Sequence, residues 1–500
     1  MTTTLQARDP SDERGLSATP GPPPGRAARR PSWFARDPAW PLIALIAGWP
    51  LWWILGFNDY APTVLAIPMA VRLYKWRASG TRTIRVPPGF GVWLLFLVVT
   101  VASVATITLT APGTQASSLS NRMISWAVRT LTYLAATVIL LYAGNLTEKE
   151  LPRRRLAWLL GLLGIYTVVG GIAGTLLPNV QFTSPLAKLV PQRLQAGNGQ
   201  VQMMLHPATS QVMTFLGYAE GRPSAPFSYT NMWGNALAVL LPWLFVVWWS
   251  YGTRRQRRAL LVVFGIAIVP VVYSLDRGLW IGLGFIIAYL AVRFAARGKL
   301  ALLGVVCGSV AIVGVVILAS PLHSLIGQRL AHGRSNTGRL SDTTLAVKDA
   351  ESSPLLGYGD TRHAQGSAAS ITVGKSANCK SCGQSVVGGD GQAQLLLISS
   401  GFLGLIFYNV FFAYGVWRYR RDLTPYGMAG VLVLTLGFIF MFVYEAVGPP
   451  LAFSMLSYAL LWKNDRERQL EWLASTKAKR HPAWADPANG HRATAAGASA

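Results

Sequence analysis

Long apolar runs alternate with short polar connections along most of this chain. The runs fall near 39–57, 60–74, 90–111, 125–143, 156–177, 231–250, 259–275, 278–294, 300–320, 392–417, 427–446 and 449–462. A hydrocarbon core of roughly 30 Å takes about 20 residues of apolar helix, fewer where the ends snorkel, so each run predicts a spanning helix. The expected fold is an all-α polytopic membrane protein of about twelve transmembrane helices with a large extracytoplasmic loop.

The connections set the orientation. Arg72, Lys75, Arg77, Arg82 and Arg85 follow the second run, and Lys149, Arg153, Arg154 and Arg155 follow the fourth. Arg254, Arg255, Arg257 and Arg258 follow the sixth, Arg293, Arg297 and Lys299 the eighth, and Arg418, Arg420 and Arg421 the tenth. Every even connection is basic, as are the segments flanking the whole array, so the positive-inside rule places both termini in the cytoplasm and the odd connections outside. Residues 1–38, rich in Pro, Gly and Arg without apolar periodicity, read as a disordered cytoplasmic tail. Residues 39–462 form the transmembrane domain, and 463–500 a second cytoplasmic tail that opens with an amphipathic stretch, KNDRERQLEWLASTKAKR. The run at 39–57 is read as a span rather than a signal-peptide core, since its basic lead is long and no small-residue cleavage site follows.

Composition agrees: 52% hydrophobic residues against 13% charged ones, with 18 Trp, describes a chain dissolved in lipid. A formal charge of +25 would point to nucleic acid in a soluble protein. Here it sits between apolar runs, which makes the bilayer the partner and excludes nucleic acid. Three cysteines are too few for a disulfide-built fold, and Cys307 reads as packing within a run. No repeat, heptad or nucleotide loop is present, which disfavours an ATP-driven mechanism.

This topology leaves two sizeable outside loops, 178–230 and 321–391, and a tight turn at Leu275-Asp276-Arg277, and function is expected among them. An arginine costs roughly 2.5–3.5 kcal/mol at a helix centre and less at its edge. Arg277 therefore either snorkels or pairs with Asp276, or binds an anion. Arg122 and Arg129 lie two turns apart along one helix face, as an interfacial anchor and a carbonyl-bonded side chain or as an anion site, for which guanidinium suits phosphate well. In the large loop, 341–353 has helix-compatible composition, Pro354 stops it, Gly357 and Gly359 bend the chain, and Arg339 precedes the helix. Residues 184–194 read as an interfacial amphipathic helix. Asn231 and Asn235, four apart, can bond across helices, and Glu445 is an intramembrane acid that either pairs with an arginine or serves function. Cys379 and Cys382 in CKSC would oxidise to a local disulfide outside the cell, whereas a zinc site would need two more ligands, with His332 and His363 nearest in sequence.

An arginine in a tight turn between two spans (SLDRGLW), then GRL and AVKDAESSPLLGYG in a long loop, then a span opening QLLLISSGFLGLIFY resembles the O-antigen ligase and polymerase family of bacterial membrane glycosyltransferases. The resemblance covers roughly residues 225–420. It implies a GT-C-like fold without cofactor or metal. It also implies transfer of a glycan from a polyprenyl (undecaprenyl-type) pyrophosphate carrier to a glycan or lipid acceptor. The reaction would take place on the outer face of the bacterial plasma membrane, in surface polysaccharide biosynthesis. Arg277 and Arg339 carry over as the pyrophosphate pair, with Arg129 and Arg122 as further donor ligands, and PFSYTNMWGN offers Tyr229, Asn231 and Asn235 as glycan contacts. Actinobacterial members often carry a cysteine pair before a segment like Gly388-Gly389-Asp390-Gly391-Gln392, which favours the disulfide.

The family places a His-Asn pair before the span that ends in Gly-x-x-Gly, and this chain departs from that pattern. Before Gly401-Phe402-Leu403-Gly404 stands Asp390-Gly391. Either Asp390 is the base, or His363 folds back, or the protein binds without catalysing; Asp is also a favoured turn residue in GGDG. A lipid pyrophosphate leaves as an anion and needs positive donors rather than a proton, so arginines can stand in for a metal. No Asp-x-Asp motif appears. The acceptor hydroxyl gains about 10²–10⁴-fold from a positioned base. The second function class is a transporter or flippase for a lipid-linked or other anionic solute, with Arg129 and Arg277 lining the path, although the sequence shows no paired, broken halves.

Overall fold

The computed structural model describes residues 37–114, 117–192, 195, 199–213, 219–296, 298, 300–319, 322–331, 334–363 and 386–480. The chain divides after Pro38, and the unit that begins at Ala39 carries the fold. It is 72% helical. In chain order the helices are α1 (Trp40–Ala47), α2 (Trp49–Ile54), α3 (Ala61–Ala78), α4 (Phe90–Ala102), α5 (Leu119–Asn145), α6 (Arg153–Leu176), α7 (Gly199–Leu205) and α8 (Thr230–Phe245). They continue as α9 (Arg254–Tyr273), α10 (Arg277–Ala295), α11 (Leu300–Ala319), α12 (Leu322–Ala331), α13 (Arg334–Ser352), α14 (Gln392–Tyr419), α15 (Pro425–Phe440) and α16 (Pro449–Arg480). Two small antiparallel hairpins pair β1 (Ser210–Met213) with β2 (Glu220–Pro223) and β3 (Arg362–His363) with β4 (Val386–Val387).

Among the described residues six helices are long and apolar enough to cross a membrane: α5, α6, α8 with its continuation to Ser250, α9, α10 and α14. The fold is thus that of an all-α membrane protein. In the relevant windows of α9 and α10 only 22% and 17% is buried within the protein. The rest is apolar surface of the kind a bilayer covers. Each of the other apolar runs is also helical. The run at 39–57 is split at Gly48 into two short helices, each with proline in its first turn, and the run at 90–111 ends in a 3₁₀ turn.

Packing follows rules suited to lipid. Gly161, Gly164 and Gly171 present a smooth face of α6 to α8: a Cβ at Gly161 would lie 3.3 Å from Leu244 Cα, and one at Gly171 2.5 Å from the Trp233 ring. Three fully buried indole N–H groups find acceptors, Trp93 at Thr137 Oγ1 (2.7 Å), Trp233 at the Thr167 carbonyl (2.9 Å) and Trp243 at Ser457 Oγ (2.9 Å). Trp93, Phe96, Tyr133, Tyr408 and Phe411 form an aromatic centre joining α4, α5 and α14.

The connections gather into two layers. Arg82 pairs with Glu150, Arg154 donates to the Tyr251 carbonyl, Arg293 to the Arg420 carbonyl, Arg418 pairs with Asp465, and Arg153 bonds Asn464. All the even, basic connections are therefore tied to one another and to the segment that follows residue 462. The odd connections are tied together as well: Ser228 donates to Asp59, Arg222 to the Ser274 carbonyl, Gln392 to the Tyr444 carbonyl, and Arg362 to the Ile107 carbonyl.

Two expectations about the loops are corrected. The stretch 321–391 is not loop throughout, since α12 and α13 occupy its first half. Arg339 therefore lies inside a helix, not ahead of it. A buried stripe of α13, with Ala346 and Ala350, packs on Leu397 and Ile398 of α14, and such tertiary packing extends helices beyond their local propensity. The helix expected at 184–194 is a 3₁₀ turn at Pro185–Lys188 capped by Ser184. Pro191 interrupts it. Helical residues resume at Gln192 and Gln195, the Gln195 N–H donating to the Pro191 carbonyl at 3.3 Å, and a longer helix follows as α7.

Candidate functional site

Three chain pieces of the odd-connection layer meet around the connection 441–448. The first is the turn into α10. Asp276 caps that helix, its Oδ1 accepting from the N–H groups of Gly278 (3.1 Å) and Leu279 (3.4 Å). Leu275 is held at φ 51°, a left-handed conformation that costs of order 1–3 kcal/mol and persists only where surroundings enforce it. Here the enforcing group is Arg222, buried on β2, which donates to the Ser274 carbonyl and to Asn231 Oδ1 (3.5 Å). Arg277, half-buried, is the first residue of α10, where the helix dipole adds to its positive charge. Gly278 and Gly234 are needed for closeness: a Cβ at Gly278 would lie 2.7 Å from Tyr444 Oη, and one at Gly234 2.6 Å from Asp276 Oδ2.

The second piece is the start of α14. Its orphan N–H groups are satisfied by the connection, Gln392 donating to the Tyr444 carbonyl and Ala393 to the Met441 carbonyl, both at 2.8 Å. The Gln392 side chain is 1% exposed. It accepts from Ala446 N–H (2.9 Å) and donates to Tyr133 Oη (3.0 Å). Glu445 lies between these two anchored residues. It was expected inside a span, but α15 ends at Phe440 and leaves it in the connection. Burial pushes its carboxyl up to about 7, against the nearby Arg129 charge and with help from Asp390. A narrow cleft is lined by Asn235, Gln392, Tyr408, Pro450 and the two residues that flank Glu445, Tyr444 and Ala446.

The third piece is the segment after α13. Helix α14 breaks at Gly401 (φ 64°, ψ −169°), so the carbonyls of Ile398 and Ser399 lose their helical partners. Tyr358 N–H and Gly359 N–H replace them at 2.7 and 3.1 Å, while Phe402 N–H turns to the Pro354 carbonyl at 2.8 Å. This stitching delivers Asp360 to α5, where it meets Arg129 Nη2 at 2.7 Å, and Arg129 Nη1 donates to the Gly359 carbonyl at 3.3 Å. Arg362 Nη1 stands 3.9 Å from the other Asp360 oxygen. Arg362 and Arg122 both donate to the Ile107 carbonyl, at 3.3 and 3.2 Å. Burial and then the Arg122 charge pull Arg362 down to about 10, so it stays cationic at neutral pH.

The structure thus brings Arg122 and Arg129 together with Asp360 and Arg362, and sets Arg129, Glu445 and Asp390 in one another's fields. Arg129 is carbonyl-bonded, at Gly359, whereas Arg122, expected as an interfacial anchor, is 6% exposed and donates to the Ile107 carbonyl. Glu445 has no ion-pair partner among the described residues. Tyr229 lies within electrostatic reach of Glu445 and Asp59, Asn231 accepts from Arg222 on β2 at 3.5 Å, and Asn235 lines the cleft. Arg339, whose side chain is not among those described, lies one turn of α13 before Thr343, which accepts from Gln394 at 2.7 Å. His363 is exposed on the strand whose neighbour Arg362 is buried. Cys379 and Cys382 lie outside the described residues. Among the described residues no three His, Cys, Asp or Glu side chains gather as a metal site would require.

Four participants escape a sequence reading. Gln392 stands in the sequence only as the end of the Gly388–Gln392 segment, with no role attached, and Asp360 carries no motif. Asp59 is buried between Asn58 and Ser228 at the second connection layer, and burial pushes it up to about 6. Asp349 on α13 is 0% exposed, and both its oxygens lack a hydrogen-bond partner among the described residues. Burial pushes Asp349 up to about 6, against the charges of Lys348 and Arg362. A raised carboxyl favours the fold below its unfolded pKa of about 4 and loses that contribution as pH rises through the folded value. Asp349→Asn is therefore expected to melt about 1–3 kcal/mol more stably than wild type above pH of about 7, with the difference vanishing near pH 4. Melting curves of the two proteins in detergent at both pH values check this; a gap that persists in acid would contradict it.

Comparison with models of known protein families and with curated proteins gives no match.

Proposed function

We propose that this protein transfers a glycan from a polyprenyl pyrophosphate carrier to a glycan or lipid acceptor at the outer face of a bacterial plasma membrane. One observation supports this most: the turn bearing Arg277 and the start of α14 after Asp390 both pack on the 441–448 connection, and the charge of the Asp360-paired Arg129 reaches Glu445 within it. In this reading the helices of all twelve apolar runs span, the layer of basic connections is cytoplasmic together with both termini, and the opposite layer, with the 441–448 connection, is extracytoplasmic. Arg277 and Arg339 hold the pyrophosphate, Arg129 and Arg122 support the anionic end of the donor, and Asp390 or His363 serves the acceptor. Tyr229, Asn231 and Asn235 line the approach of the glycan.

The chemistry fits an arginine-only site. The bond from the anomeric carbon to pyrophosphate breaks with charge developing on phosphate oxygen, which preorganised guanidinium donors stabilise without a metal. The test is the purified full-length protein in lipid nanodiscs with a polyprenyl-pyrophosphate glycan and an acceptor glycan. Acceptor-dependent release of polyprenyl pyrophosphate supports the reading, and its absence contradicts it.

One observation favours a second reading, a transporter or flippase for a lipid-linked anionic solute. Helix α14 is discontinuous at Gly401, as transporter helices often are near their substrates. Movement of a labelled lipid-linked glycan across proteoliposomes without turnover would select it.

A further inference from the structure

We propose that Glu445 is the proton acceptor of this site, a role that rests on the glycosyl-transfer reading above. The geometry points to it over the two side chains that sequence suggests. His363 stands exposed on β3, away from the buried side of that strand. Asp390, in the turn before α14, has an interaction of its own, and its Oδ2 is buried away from solvent. Glu445 is carried between Tyr444 and Ala446, whose backbone groups are both fixed by the buried Gln392. Its position is set to within the stiffness of those bonds, while its carboxylate makes no hydrogen bond or ion pair among the described residues. Its neighbours on either side, Tyr444 and Ala446, line a cleft together with Asn235 and Gln392. Preorganisation by neighbours, with the reactive group left available, is what a general base requires.

The groups facing Glu445 come from several elements: Arg129 and Tyr133 on α5, Asp390 ahead of α14 and Tyr229 ahead of α8. Arg129 favours the charged carboxylate and Asp390 opposes it, which leaves Glu445 able to exchange a proton near neutrality. In the step itself the acceptor hydroxyl oxygen bonds the anomeric carbon while its proton passes to a Glu445 oxygen. The anomeric carbon–oxygen bond to pyrophosphate breaks, and polyprenyl pyrophosphate departs with the electron pair. Water then takes the proton from Glu445. Asp390 is a positioning residue in this scheme, acting through the charge it places beside Glu445.

The test uses full-length protein in nanodiscs with the lipid-linked donor and an acceptor glycan, following product across the neutral pH range. Glu445→Gln is expected to transfer about 10²–10⁴-fold more slowly while the donor still raises its melting temperature as in wild type. Glu445→Asp should recover part of the rate. Asp390→Asn should move the acid limb of the rate profile to lower pH, because the charge opposing ionisation is gone. Transfer by Glu445→Gln near the wild-type rate, or loss of donor-induced stabilisation together with rate, overturns the assignment of Glu445 and leaves the transfer reading intact. A wild-type protein that releases no polyprenyl pyrophosphate overturns that reading and this one with it.

Discussion

Arg277→Ala is expected to slow release of polyprenyl pyrophosphate about 10²–10³-fold, the usual loss when one preorganised donor to a developing anion is removed. The backbone that presents Arg277 does not depend on its side chain. The helix is capped by Asp276, and the strained turn at Leu275 is held from outside by Arg222. Melting of the variant should therefore stay close to wild type. Arg277→Lys keeps the charge but loses the planar fork that matches phosphate oxygens, so an intermediate rate is expected. Single-turnover measurements at saturating donor separate this from a binding defect. Turnover by Arg277→Ala within about threefold of wild type would remove the turn from the candidate site, whatever the fate of the rest.

How far the chain could be read without its structure depended on the range of the signal. Apolar runs and basic connections are local patterns, and each run is helical in the structure. The alternation of basic segments anticipated that these connections would lie together, and Arg82–Glu150, Arg154–Tyr251 and Arg293–Arg420 join them. Helix limits were less legible. Proline splits the first run, and packing against α14 lengthened α13 until it enclosed Arg339. The site was the least legible part. Arg277 stood out because a charge next to a span is costly, whereas Gln392 and Asp360 look ordinary in sequence. They matter through contacts separated by 259 and 231 positions, a distance over which no spacing rule operates. Gly401 shows the same limit. It looked like part of a motif, and its role is to open the helix so that Tyr358 and Gly359 can bond there.

The Arg129–Asp360 pair explains why that opening matters, and it yields the second large expectation. Asp360 is the carboxylate shared by Arg129 and Arg362, and Arg122 lies beside them. All four side chains are buried. Asp360→Ala leaves three guanidinium groups without their counter-charge in a region of low dielectric. Breaking a buried pair from one side costs about 3–5 kcal/mol, and mutual repulsion places this case at the upper end. Arg129→Ala should cost less, about 1–3 kcal/mol, because Arg362 remains 3.9 Å from Asp360. The pair Arg129→Met with Asp360→Leu removes both charges and should recover most of the loss. Melting temperatures in detergent rank the three, and protease cleavage within 353–363 reports whether the segment has lifted from α14. If Arg129→Ala proves as damaging as Asp360→Ala, Arg362 does not share the carboxylate in solution. The segment would then be held by the backbone bonds of Tyr358 and Gly359 rather than by charge.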